Sequence, residues 1–258
     1  MGDVNYTVTD RIAVIEINRP ERRNAIAPET LRALLESAVR AGGDPEVRAV
    51  IFTGAGDGAF CSGADLKAGA ARSETGQRPQ GFLAGPERYL MEAVMEIWKP
   101  TIAALNGPAV AGGCELALAC DIRIADDHVF FSLPEAKRGM GAHFATVMLP
   151  RMIPSGIAYE MLYRGAPLGL EEAVRWGLVN RVTPRGGALA AAQELAGEIA
   201  GNAPITLRRM KETAVKAIGQ PLAVAVRLNE GLSPYESQDR LEGARAFAEK
   251  RPPRWEGR

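Results

Sequence analysis

Cysteine is scarce, neither sign of charge dominates, and long apolar runs are missing. Each shortage excludes a class of protein. The chain has 3 cysteines in 258 residues, an odd and small number that does not make the paired framework of a small secreted domain. Cys61, Cys114 and Cys120 lie in apolar or glycine-rich surroundings and read as small core residues in a reducing, cytoplasmic setting. The Cys-x5-Cys spacing has no histidine pair beside it, so it is not a zinc pattern. Lys+Arg and Asp+Glu number 31 each, so no global basic field points to nucleic acid, although a local patch could still face an acidic ligand. No apolar run reaches the roughly 18 residues of a membrane-spanning helix. The N-terminus shows no basic stretch leading into an apolar core, and no targeting segment is expected. The glycine-rich segment 53–67 has neither Gly-x4-Gly-Lys-Ser/Thr nor Gly-x-Gly-x-x-Gly opening a helix, which sets nucleotide hydrolysis aside.

What is present is an ordinary globular composition, 47% apolar and 24% charged, in a length that suits one large α/β domain or a domain plus an appendage. Alternation predicts strands over 4–8 and 12–17 with a turn at Thr9-Asp10-Arg11. A helix is predicted over 28–41 with Gly42-Gly43 as its stop, then a buried strand over 47–52. Residues 68–85, rich in Gly, Arg, Ser and Gln, read as a surface loop, and 86–98 as an amphipathic helix. Strands over 101–105, 121–125 and 129–131 complete a pattern of strands alternating with helices, which implies a parallel β/α core. Beyond Pro134 the pattern is nearly all helical, with helices over 144–153, 156–163, 170–176, 187–201, 204–217, 221–231 and 237–250 and one strand over 179–182. A boundary near 200 divides a core, 1–200, from a helical tail, 201–258.

The chain is organised around Asn106-Gly107-Pro108-Ala109-Val110-Ala111-Gly112-Gly113-Cys114-Glu115-Leu116-Ala117. A buried strand turns through Gly and Pro into an apolar helix. Glu115 is its one carboxylate, and a charge so placed needs a partner or a task. Gly112 and Gly113 fall at the helix start, where backbone N–H groups lack acceptors and the dipole favours negative charge. Glycine there would let a ligand atom come close to the backbone.

These residues, with Asn18-Arg19-Pro20-Glu21-Arg22-Arg23-Asn24-Ala25, Ala59-Phe60-Cys61-Ser62-Gly63-Ala64-Asp65-Leu66, Cys120-Asp121 and Phe131-Ser132-Leu133-Pro134-Glu135, resemble the enoyl-CoA hydratase/isomerase (crotonase) family over essentially the full length. Gly243-Ala244-Arg245-Ala246-Phe247-Ala248-Glu249-Lys250 resembles its C-terminal helix. The resemblance implies an α/β fold, a crotonase-like spiral of β-β-α units with a C-terminal helical trimerisation region, assembled as a homotrimer or a dimer of trimers. It implies an acyl-CoA thioester as substrate, with coenzyme A part of that substrate and no separate cofactor or metal. By motif, the backbone N–H groups of Ala64 and Gly112 would form an oxyanion hole for the thioester enolate. Gly63, Ala64, Asp65, Leu66 and Lys67 would cradle the adenine, and Arg23, Ala25 and Lys67 would meet the phosphates or pantetheine. Phe247 and Lys250 would contact coenzyme A on a neighbouring subunit.

The same resemblance puts the two glutamates of a hydratase on Glu115 and Glu135, 20 residues apart. Adding water to a conjugated thioester needs one carboxylate to take a proton from water and one carboxylic acid to supply a proton to the α-carbon. The structural alternatives are a buried Glu115 paired with an Arg, and an exposed Glu135 favoured only by its place after Pro134. After Glu135 the chain departs from many hydratases. Gly139-Met140-Gly141-Ala142-His143-Phe144-Ala145-Thr146 is closer to the family's 4-chlorobenzoyl-CoA dehalogenases, with His143 where they hold an Asp nucleophile. His143 is then a base, a hydrogen-bond donor or a wall of the acyl pocket. His128, next to Asp126 and Asp127, reads as a solvated loop residue, and Asp121 as a cap or turn residue. Hydration of a 2-enoyl-CoA is the expected activity. A Δ3-Δ2 enoyl-CoA isomerase, a CoA-ester hydrolase and a non-catalytic acyl-CoA-binding or RNA-binding member are its rivals.

Overall fold

The computed structural model describes residues 2–66 and 89–258. Lys67, the expected loop 68–85 and the start of the helix expected over 86–98 lie outside the described residues. In chain order the described elements are β1 (Val4–Thr9), β2 (Ile12–Ile17), α1 (Pro28–Gly43), β3 (Ala49–Gly54), α2 (Leu90–Met95), β4 (Thr101–Leu105), β5 (Ala109–Val110), α3 (Gly112–Ala119), β6 (Ile122–Asp126) and β7 (Phe130–Ser132). They continue with α4 (His143–Met152), α5 (Ser155–Arg164), β8 (Leu168–Gly169), α6 (Leu170–Arg175), β9 (Arg181–Thr183), α7 (Ala188–Ala200), α8 (Pro204–Lys216), α9 (Leu222–Ala225) and α10 (Gln238–Glu249).

β1 and β2 form an antiparallel hairpin through Asp10 and Arg11, both at positive φ (50° and 66°), a turn whose twist suits a two-residue connection. From β2 onward the large sheet is parallel, in the order β1-β2-β3-β4-β6-β9. β3 and β4 are buried along their whole length, which is why they read as unbroken apolar runs. Alternate residues then face two different layers. Ile15, Val50, Phe52 and Ala103 pack against α1, α2 and α3, whereas Ile12, Ile51, Ile102 and Ile124 meet Ala188, Ala192 and Ala196 of α7. A smaller sheet, β5-β7-β8, stands beside α3.

Buried charges fasten the ends of these elements. Asp126 accepts hydrogen bonds from the N–H groups of Gly186, Gly187 and Ala188 (2.7, 3.1 and 2.8 Å) and from the Thr183 hydroxyl, so it closes the N-terminus of α7. Arg123 donates to the carbonyls of Cys120 (2.7 Å), Ala117 (3.3 Å) and Leu178 (2.5 Å), closing the C-terminal end of α3. Asp121 holds Thr101 through its N–H and hydroxyl and pairs with the buried Lys211 of α8 at 2.8 Å. Farther along the tail, the Trp255 indole donates to Gly201 O, and Arg48 reaches Trp255 O.

Some expected elements change, and α1 runs through Gly42 and Gly43, the expected stop, to its cap at Asp44. The helix over 221–231 shrinks to the single turn α9, whose apolar residues Leu222 and Val224, with Val226 after it, stay exposed. The strand expected over 179–182 pairs as 181–183, with Leu178 and Val179 turned into the core. The segment Pro134–Arg138 winds as a 3-10 turn.

Removing the Asp126 carboxylate should leave three N–H groups at the start of α7 without their acceptor. Asp126→Ala is expected to cost on the order of 3 kcal/mol, read as a lower urea midpoint at unchanged m-value. A loss below about 0.5 kcal/mol would contradict the capping role.

Candidate active site

Two chain segments meet at one corner. The Ile26 N–H donates to Gly63 O (2.8 Å) and the Asp65 N–H to Ile26 O (2.9 Å), bracketing Ala64. On the other side the Val110 N–H donates to Cys61 O (2.9 Å), and the Ala111 N–H to Ser132 O (2.8 Å). Ala111 has φ 54° and ψ −127°, a backbone conformation that L-residues rarely adopt. That turn sends the chain into α3 with the Gly112 N–H beside Gly63. A Cβ added at Gly63 would stand 3.0 Å from Gly112 N and 2.8 Å from the Ala111 Cβ. Among the described residues, neither the Ala64 nor the Gly112 N–H finds an acceptor. Two adjacent free donors, one at a helix start, form a corner suited to an anion. Gly113, by contrast, is spent on packing. A Cβ there would lie 2.1 Å from Cys61 O, so its role is to let two backbones touch rather than to admit a ligand.

Arg19 braces this corner. It donates to Ala25 O (2.6 Å) and to the Asp65 carboxylate (3.2 Å) and pairs with Asp3. Asn24, fully buried, donates to Ala55 O and Ala59 O and accepts from the Arg19 N–H. Asp65 therefore faces Arg19, Ala25 is buried, and Arg23 and Leu66 are exposed beside them.

Behind the corner lie the two glutamates. Glu115 is 4% exposed and Glu135 6%. Among the described residues Glu115 has no arginine partner; its Oε1 accepts the Ala145 N–H (3.0 Å) and its Oε2 the Tyr89 hydroxyl (3.2 Å). Glu135 rides on the 3-10 turn, and its Oε2 is buried with no hydrogen-bond partner among the described residues. Burial pushes both carboxyls above their ordinary range. Hydrogen bonds from Ala145, Tyr89 and Phe144 hold Glu115 back; Glu135 is held back by its own N–H and pushed up again by the Glu115 charge. Tyr89 was not anticipated. Its only trace in the sequence is an aromatic with a polar tip ahead of an apolar helix face, and its partner lies 26 residues away.

His143 opens α4 and is exposed, its ring lying over Gly141 and its charge acting on Glu115. His128 is half-buried, not solvated as expected, with Nε2 3.4 Å from Asp57 O. Phe247 stands 88% exposed on α10, which Lys250 closes at φ 53°. All three cysteines are free and buried, with burial pushing Cys61 and Cys120 up to about 12. Among the described residues, no cluster of His, Cys, Asp or Glu is arranged to hold a metal, and no helix is long and apolar enough to cross a membrane.

Residues 7–258 match the profile of the family described as enoyl-CoA hydratase/isomerase. The chain is 37% identical over 257 residues to an (E)-benzylidenesuccinyl-CoA hydratase of Thauera aromatica, covering 98% of this chain and 99% of the relative. It is 40% identical over 261 residues to a carnitinyl-CoA dehydratase of Proteus mirabilis, covering 97% and 98%. Its fold matches the crystal structure of an enoyl-CoA hydratase from Mycobacterium tuberculosis H37Rv with a TM-score of 0.89 at 37% identity, covering 100% of both chains.

A carboxyl whose folded pKa lies above its unfolded value contributes fully to stability below the unfolded pKa, and that contribution is lost as pH rises through the folded value. Glu135 is such a group. Glu135→Gln should therefore melt about 2 °C above the parent chain at pH 8, with the gap closing towards pH 4. Differential scanning calorimetry across that range is the check. A gap that does not change with pH would refute the assignment.

Proposed function

The chain belongs to the enoyl-CoA hydratase/isomerase family, and from that membership we propose that it adds water across the double bond of a 2-enoyl-CoA thioester, or removes it in the reverse direction. The observation that carries the reading is the pairing of two buried glutamates behind two free N–H donors. An isomerase needs one well-placed base. A hydratase needs a base and an acid in one site, and both carboxyls are kept here. Relatives that add or remove water, such as the Thauera hydratase and the Proteus dehydratase, support the same choice.

In this reading the thioester oxygen accepts hydrogen bonds from the Ala64 and Gly112 N–H groups. Both donors are fixed before the reaction, and such a donor contributes about 2.7–4 kcal/mol to a developing oxyanion. Ionised Glu115 takes a proton as the water oxygen bonds to the β-carbon. The electron pair of the double bond moves towards the thioester, forming an enolate. Protonated Glu135 then gives its proton to the α-carbon, and proton exchange between the carboxyls and water restores the starting state. Coenzyme A arrives as part of the substrate, and no resident cofactor enters these steps. Arg23, Ala25, Asp65, Leu66 and Lys67 meet its nucleotide end. His143, at the start of α4 next to the acid pair, lines the acyl pocket.

A homotrimer, or a dimer of trimers, completes the proposal. Phe247, Leu222, Val226 and Tyr235 are each more than 70% exposed in the single chain, a density of uncovered apolar side chains that suits a subunit interface. Phe247 and Lys250 then reach coenzyme A on the neighbouring subunit.

Mixing the protein with crotonyl-CoA and longer 2-enoyl-CoAs should bleach the absorbance of the conjugated thioester. Glu115→Gln and Glu135→Gln should each lower kcat by about 10^3-fold. Unchanged rates in both variants would overturn the assignment. Conversion of a 3-enoyl-CoA without hydration would make it an isomerase, and release of free thiol a hydrolase.

A further inference from the structure

Hydration as proposed above asks two neighbouring carboxyls to differ, one ionised and one protonated. Burial alone does not separate them, since both are almost fully covered. Their hydrogen-bond donors do. Glu115 has a donor on each oxygen, the Ala145 N–H at 3.0 Å and the Tyr89 hydroxyl at 3.2 Å. Glu135 has a buried oxygen with no partner among the described residues. A carboxylate is acceptor-only, so donors arranged on both oxygens favour the charged form, and a carboxyl without them takes up a shared proton first.

We propose that Tyr89 is a positioning residue that, together with the Ala145 N–H, keeps the negative charge on Glu115 and leaves the proton of the pair on Glu135. The catalytic consequence rests on the hydratase reading; the charge assignment itself does not. Ala145 is a backbone donor at the start of α4 and cannot be tuned by a side chain. Tyr89 is therefore the adjustable half of the clamp. Its position is anchored by the next two residues, Leu90 and Met91, which are fully buried at the start of α2. Burial, then the charge of Glu115, pushes the Tyr89 phenol well above its ordinary range. It thus holds its proton at every working pH and acts as a donor rather than as an acid. Among the described residues, the other ionisable groups that act on the cluster do so through charge: His143 at the start of α4, Arg138 on the 3-10 turn, Glu92 on α2 and the Cys114 thiol next to Glu115. With both oxygens tethered, Glu115 also cannot swing, so the lone pairs left over define where a water would sit.

Tyr89→Phe removes the hydroxyl and keeps the ring. The test is a carboxyl NMR titration of the full protein carrying carbon-13 glutamate, with the two signals assigned through Glu115→Gln and Glu135→Gln. In the parent chain Glu115 should titrate below Glu135. In Tyr89→Phe the Glu115 midpoint should rise by about one pH unit, narrowing or reversing the gap. With a 2-enoyl-CoA, kcat should fall about 10- to 100-fold while KM stays within about twofold, and the acid limb of kcat should move to higher pH. A Glu115 midpoint that does not move overturns the inference, even if activity falls, because a purely structural role would give that result. A midpoint that moves in a protein that hydrates no enoyl-CoA supports the charge assignment and overturns the reading of the reaction instead.

Discussion

Backbone touches backbone where the first turn of α3 crosses Cys61, and the rest of the site depends on that contact. Only a hydrogen fits between Gly113 and the Cys61 carbonyl. The same seam recurs on both sides: a Cβ on Gly107 would strike the Ala59 backbone at 2.8 Å, and one on Gly54 the Phe60 carbonyl at 2.4 Å. Gly107 and Gly113 thus let residues 59–61 lie flat against the turn that leads into α3, and Gly54 lets the loop after β3 fold back on itself. This close approach brings Gly63 and Gly112 to one corner, and it sets Glu115 one helical turn behind them. A methyl group at Gly113 would lift the helix off the loop and separate the two free N–H donors, although neither belongs to Gly113.

The ends of the helices show how charge is allotted. α7 begins on the Asp126 carboxylate, and α3 ends on the Arg123 guanidinium. α4 begins on Glu115, which comes from another helix. The start of α3 alone is turned towards the corner with its first N–H unengaged among the described residues. Capping is a general stabilising device, and here it also sorts the acids. Asp126 has four donors and a structural task; Glu115 has donors but also faces a second acid; Glu135 has an oxygen with none. The gradient from fully satisfied to unsatisfied leads into the site.

Much of this was legible in the sequence, and the remainder was hidden for physical reasons. The apolar runs that became β3 and β4, and the turn from Gly107 into the helix with Glu115, are local patterns, and the family motifs place Ala64, Gly112 and Glu135 in order along the chain. What could not be read is contact between distant positions. Tyr89 meets Glu115 across 26 residues and Arg19 meets Asp65 across 46, and no periodicity announces either. The arginine that the structural alternative gave Glu115 is replaced by a tyrosine and a peptide N–H, while the arginine in that layer, Arg123, serves helix carbonyls. The helix expected over 221–231 failed for the opposite reason. Its propensity was local, and burial within the single chain did not support it.

The borrowed cap of α4 also bears on how the molecule assembles in time. The helix has 10 residues, no side chain of its own closing its first turn, and Pro150 inside its last. A segment of that kind does not hold helical structure alone in water. Its first turn is completed only when Glu115 arrives on a docked α3. The acid and the helix that orders it are therefore mutually dependent, since neither has its hydrogen-bond partner until α3 and α4 pack together.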